Sequence, residues 1–532
     1  MEQLLKSAYI TPLAFGLVFL YALRHGRGRK LKHPPSPLSL PFVGNLFSIP
    51  SGPEHTAYRK LSHQLNSDII YLKVMGYSTI ILNSAQAASD LFDKRSFKYS
   101  DRTNAPMATD PTLLNWPGHP AFVGYNNLWR SYRRMVNHWF NARAVTQFHQ
   151  YHEQQTVTLL QRLLKISKQD SVFEGARVEF LFAMASGIFQ SAYGYQLQGL
   201  DDPFFKSAQE ALENLCSAQM YTNFWVNIFP ALSYVPDWFP GTGWKGTARK
   251  WREQKDKALN STFQWTKEQV AAGSAKPSIV GALLNHHLTS KWAQDDREYR
   301  LKELGINLFA EFLISTWPPG ATETSGHTLL GFATAMVLNP EIQAKAQNEI
   351  DDVIGYLRLP KVEDQSRLPY VRNLILETLR WHPVLPIAIP HVCYEDDVYR
   401  DYDIPKGTVL IGNLWAMSRD EASYKDADIF DPDRFLDPKV PLFPAFGWGR
   451  RKCPGSYYGQ DSIFMAIASL LATFTFKKKL DSNGHEILPK VEYGSNSLNL
   501  GLKPFEFVLA PRSEKHEQLI LDLSSNLASA RN

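Results

Sequence analysis

Cysteine is scarce: Cys216, Cys393 and Cys453 are the whole complement of a 532-residue chain. That argues against a disulfide-stapled secreted domain, and without a Cys-x-x-Cys pair also against a cysteine-built zinc or iron–sulfur site. Charge excess is missing from the body as well. The net charge of +5 lies in residues 1–33, where Lys6, Arg24, Arg27, Arg29, Lys30 and Lys32 face Glu2 alone. The rest is balanced, so nothing points to a nucleic-acid partner. Gly and Pro are near average, which removes collagen-like and low-complexity readings. No repeat and no late linker interrupts the chain, so one large unit is expected. No Gly-rich flavin or nicotinamide fingerprint occurs.

One long apolar run is present, Leu4–Leu23, with Lys6 its only charge. Twenty helical residues span about 30 Å, the thickness of a hydrocarbon core. Basic residues follow the run, unlike a cleaved leader, whose charge comes first. The expectation is therefore a single-pass membrane anchor with its basic flank over 1–33 and the body in the cytosol. Six prolines in 34–53 predict a stiff hinge. A single catalytic domain over 54–511 and a mobile tail over 512–532 complete the expected division.

The body reads as mainly α (α+β). Helical periodicity runs through most of 85–355, as in Pro340–Gly355, with Pro in the first turn and Gly as a stop signal. Short strands are expected at Ile69–Val74, Ser78–Leu82, Pro386–Val392, Thr408–Ile411 and Phe505–Leu509. Residues 418–445 form a turn-rich stretch too long to be a plain connection.

Chemistry concentrates at Phe446–Gly455, FGWGRRKCPG. Glycines permit tight turns around Cys453, and a helical run follows Pro454-Gly455. A thiolate near a helix N-terminus, beside Arg450, Arg451 and Lys452, is stabilised as the anion. Alone it cannot complete a zinc site, but it can be the one protein ligand of a haem iron. Phe446, Gly449, Arg451, Cys453 and Gly455 match without exception the haem-binding signature of the cytochrome P-450 superfamily, which the chain resembles from about 34 to 511. The wording of PFVGNL, LPYVRNLILETLRWHP and IFDPDRF is most similar to fungal members with secondary-metabolite or xenobiotic roles.

The resemblance implies the helix-rich fold of that family with a few small sheets and an N-terminal transmembrane helix. It implies haem b with Cys453 as axial thiolate, and a structural triad of Glu377, Arg380 and Arg434. At i,i+3, Glu377 and Arg380 share a helix face. Trp129 and Arg133 would donate to a haem propionate; a solvated Arg beside a core Trp is the plainer alternative. Arg451 should reach a propionate, and so should His391, although Val392 stands where relatives carry Arg.

Gly320–Ser325, GATETS, resembles the oxygen-activation stretch of the central helix. Heterolytic cleavage of dioxygen consumes two protons; Glu323 can relay them and Thr324 can hold a water. Pro318 and Pro319 depart from the family pattern. They predict a helix break at about 315–319, which either reshapes packing or opens the pocket roof. Residues 229–241, aromatic- and Pro-rich, read either as a surface near the bilayer and substrate entrance or as core.

The activity implied is monooxygenation of a small apolar substrate, with electrons from NADPH through cytochrome P-450 reductase and cytochrome b-five as a helper. The alternative is a reductase-independent haem-thiolate isomerase, dehydratase or peroxygenase. Residence in the endoplasmic reticulum membrane, against the lipid bilayer, completes the expectation.

Overall fold

The computed structural model describes residues 31–169, 171–220, 223–285, 294–313, 324–493 and 500–529. Helices dominate. Strands β1 (Ile69–Val74) and β2 (Tyr77–Leu82) form a hairpin, with Met75 and Gly76 at positive φ in its turn. Strands β3 (His391–Val392), β4 (Asp397–Tyr399), β5 (Tyr402–Ile404) and β6 (Val409–Gly412) follow, then β7 (Phe474–Lys478) and β8 (Phe507–Pro511). The main sheet has the order β1-β2-β6-β3, with β2 and β6 parallel; β4–β5 and β7–β8 are separate antiparallel pairs.

Local chemistry sets the helix ends. Asn126 caps the Asn127–Phe140 helix by accepting from the Trp129 amide at 3.0 Å. Glu349 accepts from the amides of Tyr370 and Val371 at 2.9 Å, filling orphan donors at the start of the Pro369–Trp381 helix. Gly355, at φ +77, follows the Pro340–Val353 helix as the sequence predicts. One apolar core joins Phe332, Met336, Phe464 and Leu470, between the Thr324–Leu338 and Ser456–Thr473 helices.

The helix-rich α+β reading stands, but its membrane element needs correction. Among the described residues no helix is long and apolar enough to cross a membrane. The long apolar helices are apolar because protein surrounds them. Phe173–Tyr193 is buried continuously from Phe180 onward and begins with Glu174, Arg177 and Glu179. The Leu4–Leu23 run lies outside the described residues. The membrane-bound, transmembrane and endoplasmic-reticulum readings are therefore not carried forward.

The proline-rich segment is fastened to β1. Tyr71 donates its amide to Pro35 O at 2.9 Å, and Asn45, fully buried, accepts from the Lys73 amide at 2.7 Å. The expected mobile tail instead forms a helix, Glu514–Ser529, with Ile520 buried. Arg512, just before it, pairs with Asp351 at 2.5 Å. The core reading of 229–241 fails: Tyr234 is 87% and Trp238 80% exposed.

Candidate active site

Cys453 sits half-buried in a loop closed by its own backbone. Its amide donates to Phe446 O at 2.9 Å, across the 3₁₀ turn Gly449–Arg451. The Ser456–Thr473 helix begins directly after Pro454-Gly455. The loop thus leads within three residues of Cys453 into the N-terminal, positive end of a long buried helix. Gly449 adopts φ +51, and a Cβ there would collide with the Phe92 carbonyl oxygen. Only glycine fits that position.

Above the loop lies a cavity of about 1500 Å³, its open mouth included. Much of its wall is apolar: Val136, Val384, Leu385, Ala388, Ile389 and Ile463. Cys453, Gly455, Phe446 and Trp129 line it, and three guanidinium groups collect on it, from Arg102, Arg133 and Arg451. Arg451 donates to the carbonyls of Ser100 (2.8 Å) and Val123 (2.7 Å) and lies 4.7 Å from the Trp129 ring centre. Arg133 donates to the carbonyls of Arg450 (2.7 Å) and Lys452. Arg102 donates to Ile389 O (2.8 Å) and Pro390 O (2.6 Å).

Burial and mutual repulsion bear on these cations. Arg451 is pushed down to about 8, by burial first and then by Arg102 and Arg133. Arg102 is pushed down to about 9, by burial and then by Arg133, with Asp101 opposing. Arginine is otherwise permanently charged. Buried Arg102 Nε has no hydrogen-bond partner among the described residues. Such a cluster fits a ligand with two carboxylates, as the two propionates of haem b provide. Among the described residues no group of three His, Cys, Asp or Glu could hold a metal ion. Cys453 beside an arginine-lined cavity fits a haem, whose iron takes a single protein thiolate.

His391 is buried on β3, stacked on Phe92 at 4.2 Å, with Nδ1 at 2.6 Å from Tyr99 O. Burial, then Arg102, pushes it well below its ordinary range, which favours the neutral ring. A carbonyl only accepts, so Nδ1 carries the proton and Nε2 is an acceptor. Donation from Nε2 to a carboxylate requires the imidazolium, which a dianion beside it would favour.

The structure also brings Glu377, Arg380 and Arg434 together. Arg434 Nε lies 3.0 Å from Glu377 Oε1, and Arg380 grips both carboxylate oxygens. The guanidinium groups donate onward to the carbonyls of Ser418, Lys425, Ala427 and Ile429. These bonds pin the turn-rich stretch that leads into the Cys453 loop.

Glu323, and the break expected at Pro318-Pro319, lie outside the described residues. Thr324 opens the Thr324–Leu338 helix; its side chain is outside the description. Sequence reading missed Arg102, because Tyr99-Ser100-Asp101-Arg102 has no helical or strand period and no paired motif.

Residues 34–503 match the family model described as cytochrome P-450. The chain is 33% identical over 522 residues to a cytochrome P-450 monooxygenase of Armillaria gallica, covering 97% of this chain and 99% of the relative. It is 34% identical over 534 residues to one of Postia placenta, covering 99% of each chain. To one of Hericium erinaceus it is 36% identical over 520 residues, covering 96% of this chain and 95% of that one.

Proposed function

The chain belongs to the cytochrome P-450 family as a monooxygenase, and from that premise we propose that it inserts one oxygen atom of dioxygen into a small apolar substrate. Membership implies a haem b cofactor. The observation that carries the reading is Cys453 at the base of an apolar cavity rimmed by three arginines.

Haem b, when bound, supplies dioxygen activation and oxygen transfer. Cys453 is the thiolate that holds its iron. Arg102, Arg133 and Arg451, with Trp129 and His391, would hold its two propionates, whose negative charge offsets that of the buried cations. Val384, Leu385, Ala388 and Ile389 exclude water and favour an apolar substrate. Glu323 passes protons inward and Thr324 holds the water through which they travel. The triad of Glu377, Arg380 and Arg434 keeps the Cys453 loop in place. Electrons come from NADPH through a separate cytochrome P-450 reductase, with cytochrome b-five as a helper. Fungal secondary or xenobiotic metabolism is the setting its relatives' kind suggests.

The test is product formation with NADPH and a purified reductase. Reductase-dependent hydroxylation supports the proposal. Turnover of the same substrate without reductase, by isomerisation, dehydration or added peroxide, would favour the reductase-independent alternative.

A further inference from the structure

A single turn of π-helix, Ser89–Lys94, lies against the Cys453 loop. An extra residue per turn shifts which side chains face a neighbour, and such turns recur at functional sites. Here the turn presents two consecutive residues to the same loop. The Phe92 carbonyl oxygen fills the space that a Cβ on Gly449 would take, and Ser96 Cβ lies 2.9 Å from that position. Asp93 Oδ1 accepts the Gly449 amide at 2.6 Å. The Phe92 ring stacks on His391 at 4.2 Å and meets Trp448 at 5.4 Å. The turn therefore touches the loop two residues before Arg451 and four before Cys453, and touches the buried histidine of β3 as well.

We propose that Asp93 is a positioning residue for the Cys453 loop: its carboxylate caps the Gly449 amide and sets the approach of the 3₁₀ turn, so that Arg451 and the Cys453 sulfur are held in register for the cofactor. The proposal rests on reading Cys453 as the haem ligand. The amide that Asp93 satisfies opens the 3₁₀ turn Gly449–Arg451, where the first N–H has no partner within the turn. A charge-assisted bond to a backbone amide is shorter and stronger than a neutral one. The neighbouring carboxylate of Asp90 is used differently. It accepts from Tyr399 Oη at 2.7 Å and pairs with Lys94 at 2.7 Å. Asp90 thus secures the turn itself, whereas Asp93 secures what the turn touches.

Asp93→Ala, Asp93→Asn and Asp90→Ala separate these roles in the full-length haem protein. Three readouts apply: the share of the ferrous carbonyl complex with the thiolate-type Soret band, the rate of haem transfer to apomyoglobin, and hydrogen exchange at the Gly449 amide. Asp93→Ala should speed haem transfer about tenfold, shift part of the carbonyl band to the non-thiolate position, and deprotect Gly449. Asp93→Asn keeps an acceptor oxygen and should restore most of all three. Asp90→Ala should lower thermal stability and leave the carbonyl band unchanged. A wild-type band and protected Gly449 in Asp93→Ala would overturn the proposal, as would equal damage from Asp90→Ala. Should the wild-type protein itself lack a thiolate-type band, the ligand reading falls, and Gly449 exchange still decides whether Asp93 caps the loop.

Discussion

The Arg380 guanidinium closes a two-pronged pair on Glu377, Nε to Oε2 and Nη2 to Oε1, each at 2.7 Å, with both side chains wholly buried. Two charges removed from water are tolerated only when every remaining valence is filled. Here Arg380 reaches three further carbonyls, and Glu377 Oε1 also accepts from the Asp431 amide at 2.8 Å. Glu377→Ala would leave two arginines without a counter-charge, so unfolding free energy should fall by about 3–5 kcal/mol. Arg434→Ala should cost less, because Arg380 keeps its partner. Urea denaturation of the two variants checks the order; equal losses would contradict it.

Two glycines of the Cys453 loop should respond differently to alanine. Gly447, at φ +71, has nothing within 4 Å of an added Cβ, so Gly447→Ala meets only backbone strain of about 1–2 kcal/mol. At Gly449 the added carbon also collides with the Phe92 carbonyl. Haem content per chain after gel filtration should be near normal for Gly447→Ala and largely lost for Gly449→Ala.

These contrasts show what the sequence could and could not carry. Local spacing makes part of this legible: a thiol just before a helical run at Cys453 and an i,i+3 pair at Glu377 and Arg380, whereas the joining of Arg434 to that pair is implied only by the family resemblance, since an Arg in a turn carries no such signal by itself. The strand at Ile69–Val74 was legible as well, from a run of β-branched and apolar residues bounded by turn signals. Pro386–Val392 shrank to His391–Val392, since Pro386 and Pro390 have no amide to give a ladder. The strand Phe474–Lys478 escaped notice because it leaves a helix with no Gly or Pro to mark the change. The side-chain hydrogen bonds of Arg102 and Asp93 reach partners about 290 and 360 residues away. No local pattern encodes such pairings.

Arg102→Gln separates cofactor binding from fold. In the haem-free chain it relieves repulsion on Arg451, so the melting temperature should change little. With haem it removes a charge-assisted donor, so transfer of haem to apomyoglobin should quicken about tenfold. A melting temperature lowered as much in the haem-free as in the haem-bound protein would make Arg102 purely structural.

Glu303 gives a pH prediction. It is fully buried, accepts from Trp116 Nε1 at 2.7 Å, and burial raises it to about 7 from 4.5. The native state keeps a proton that the unfolded chain releases, so this contribution is full below pH 4.5 and lost as pH rises through 7. Glu303→Gln carries no such proton. Across that window the variant should gain roughly 3 kcal/mol on the parent protein, at about 1.4 kcal/mol per pH unit. Urea denaturation at both ends of the window measures the difference; a constant gap would mean that burial does not raise Glu303 above its unfolded value.

The central claim is that Cys453 is the thiolate ligand of a bound haem, and the carbonyl spectrum of the ferrous protein tests it most directly. The wild-type protein should show the red-shifted Soret band of a thiolate-ligated haem, and Cys453→Ser should lose that band or the haem itself, since a serine oxygen is a poor substitute for a soft sulfur donor. A Cys453→Ser protein that retains the band would contradict the account.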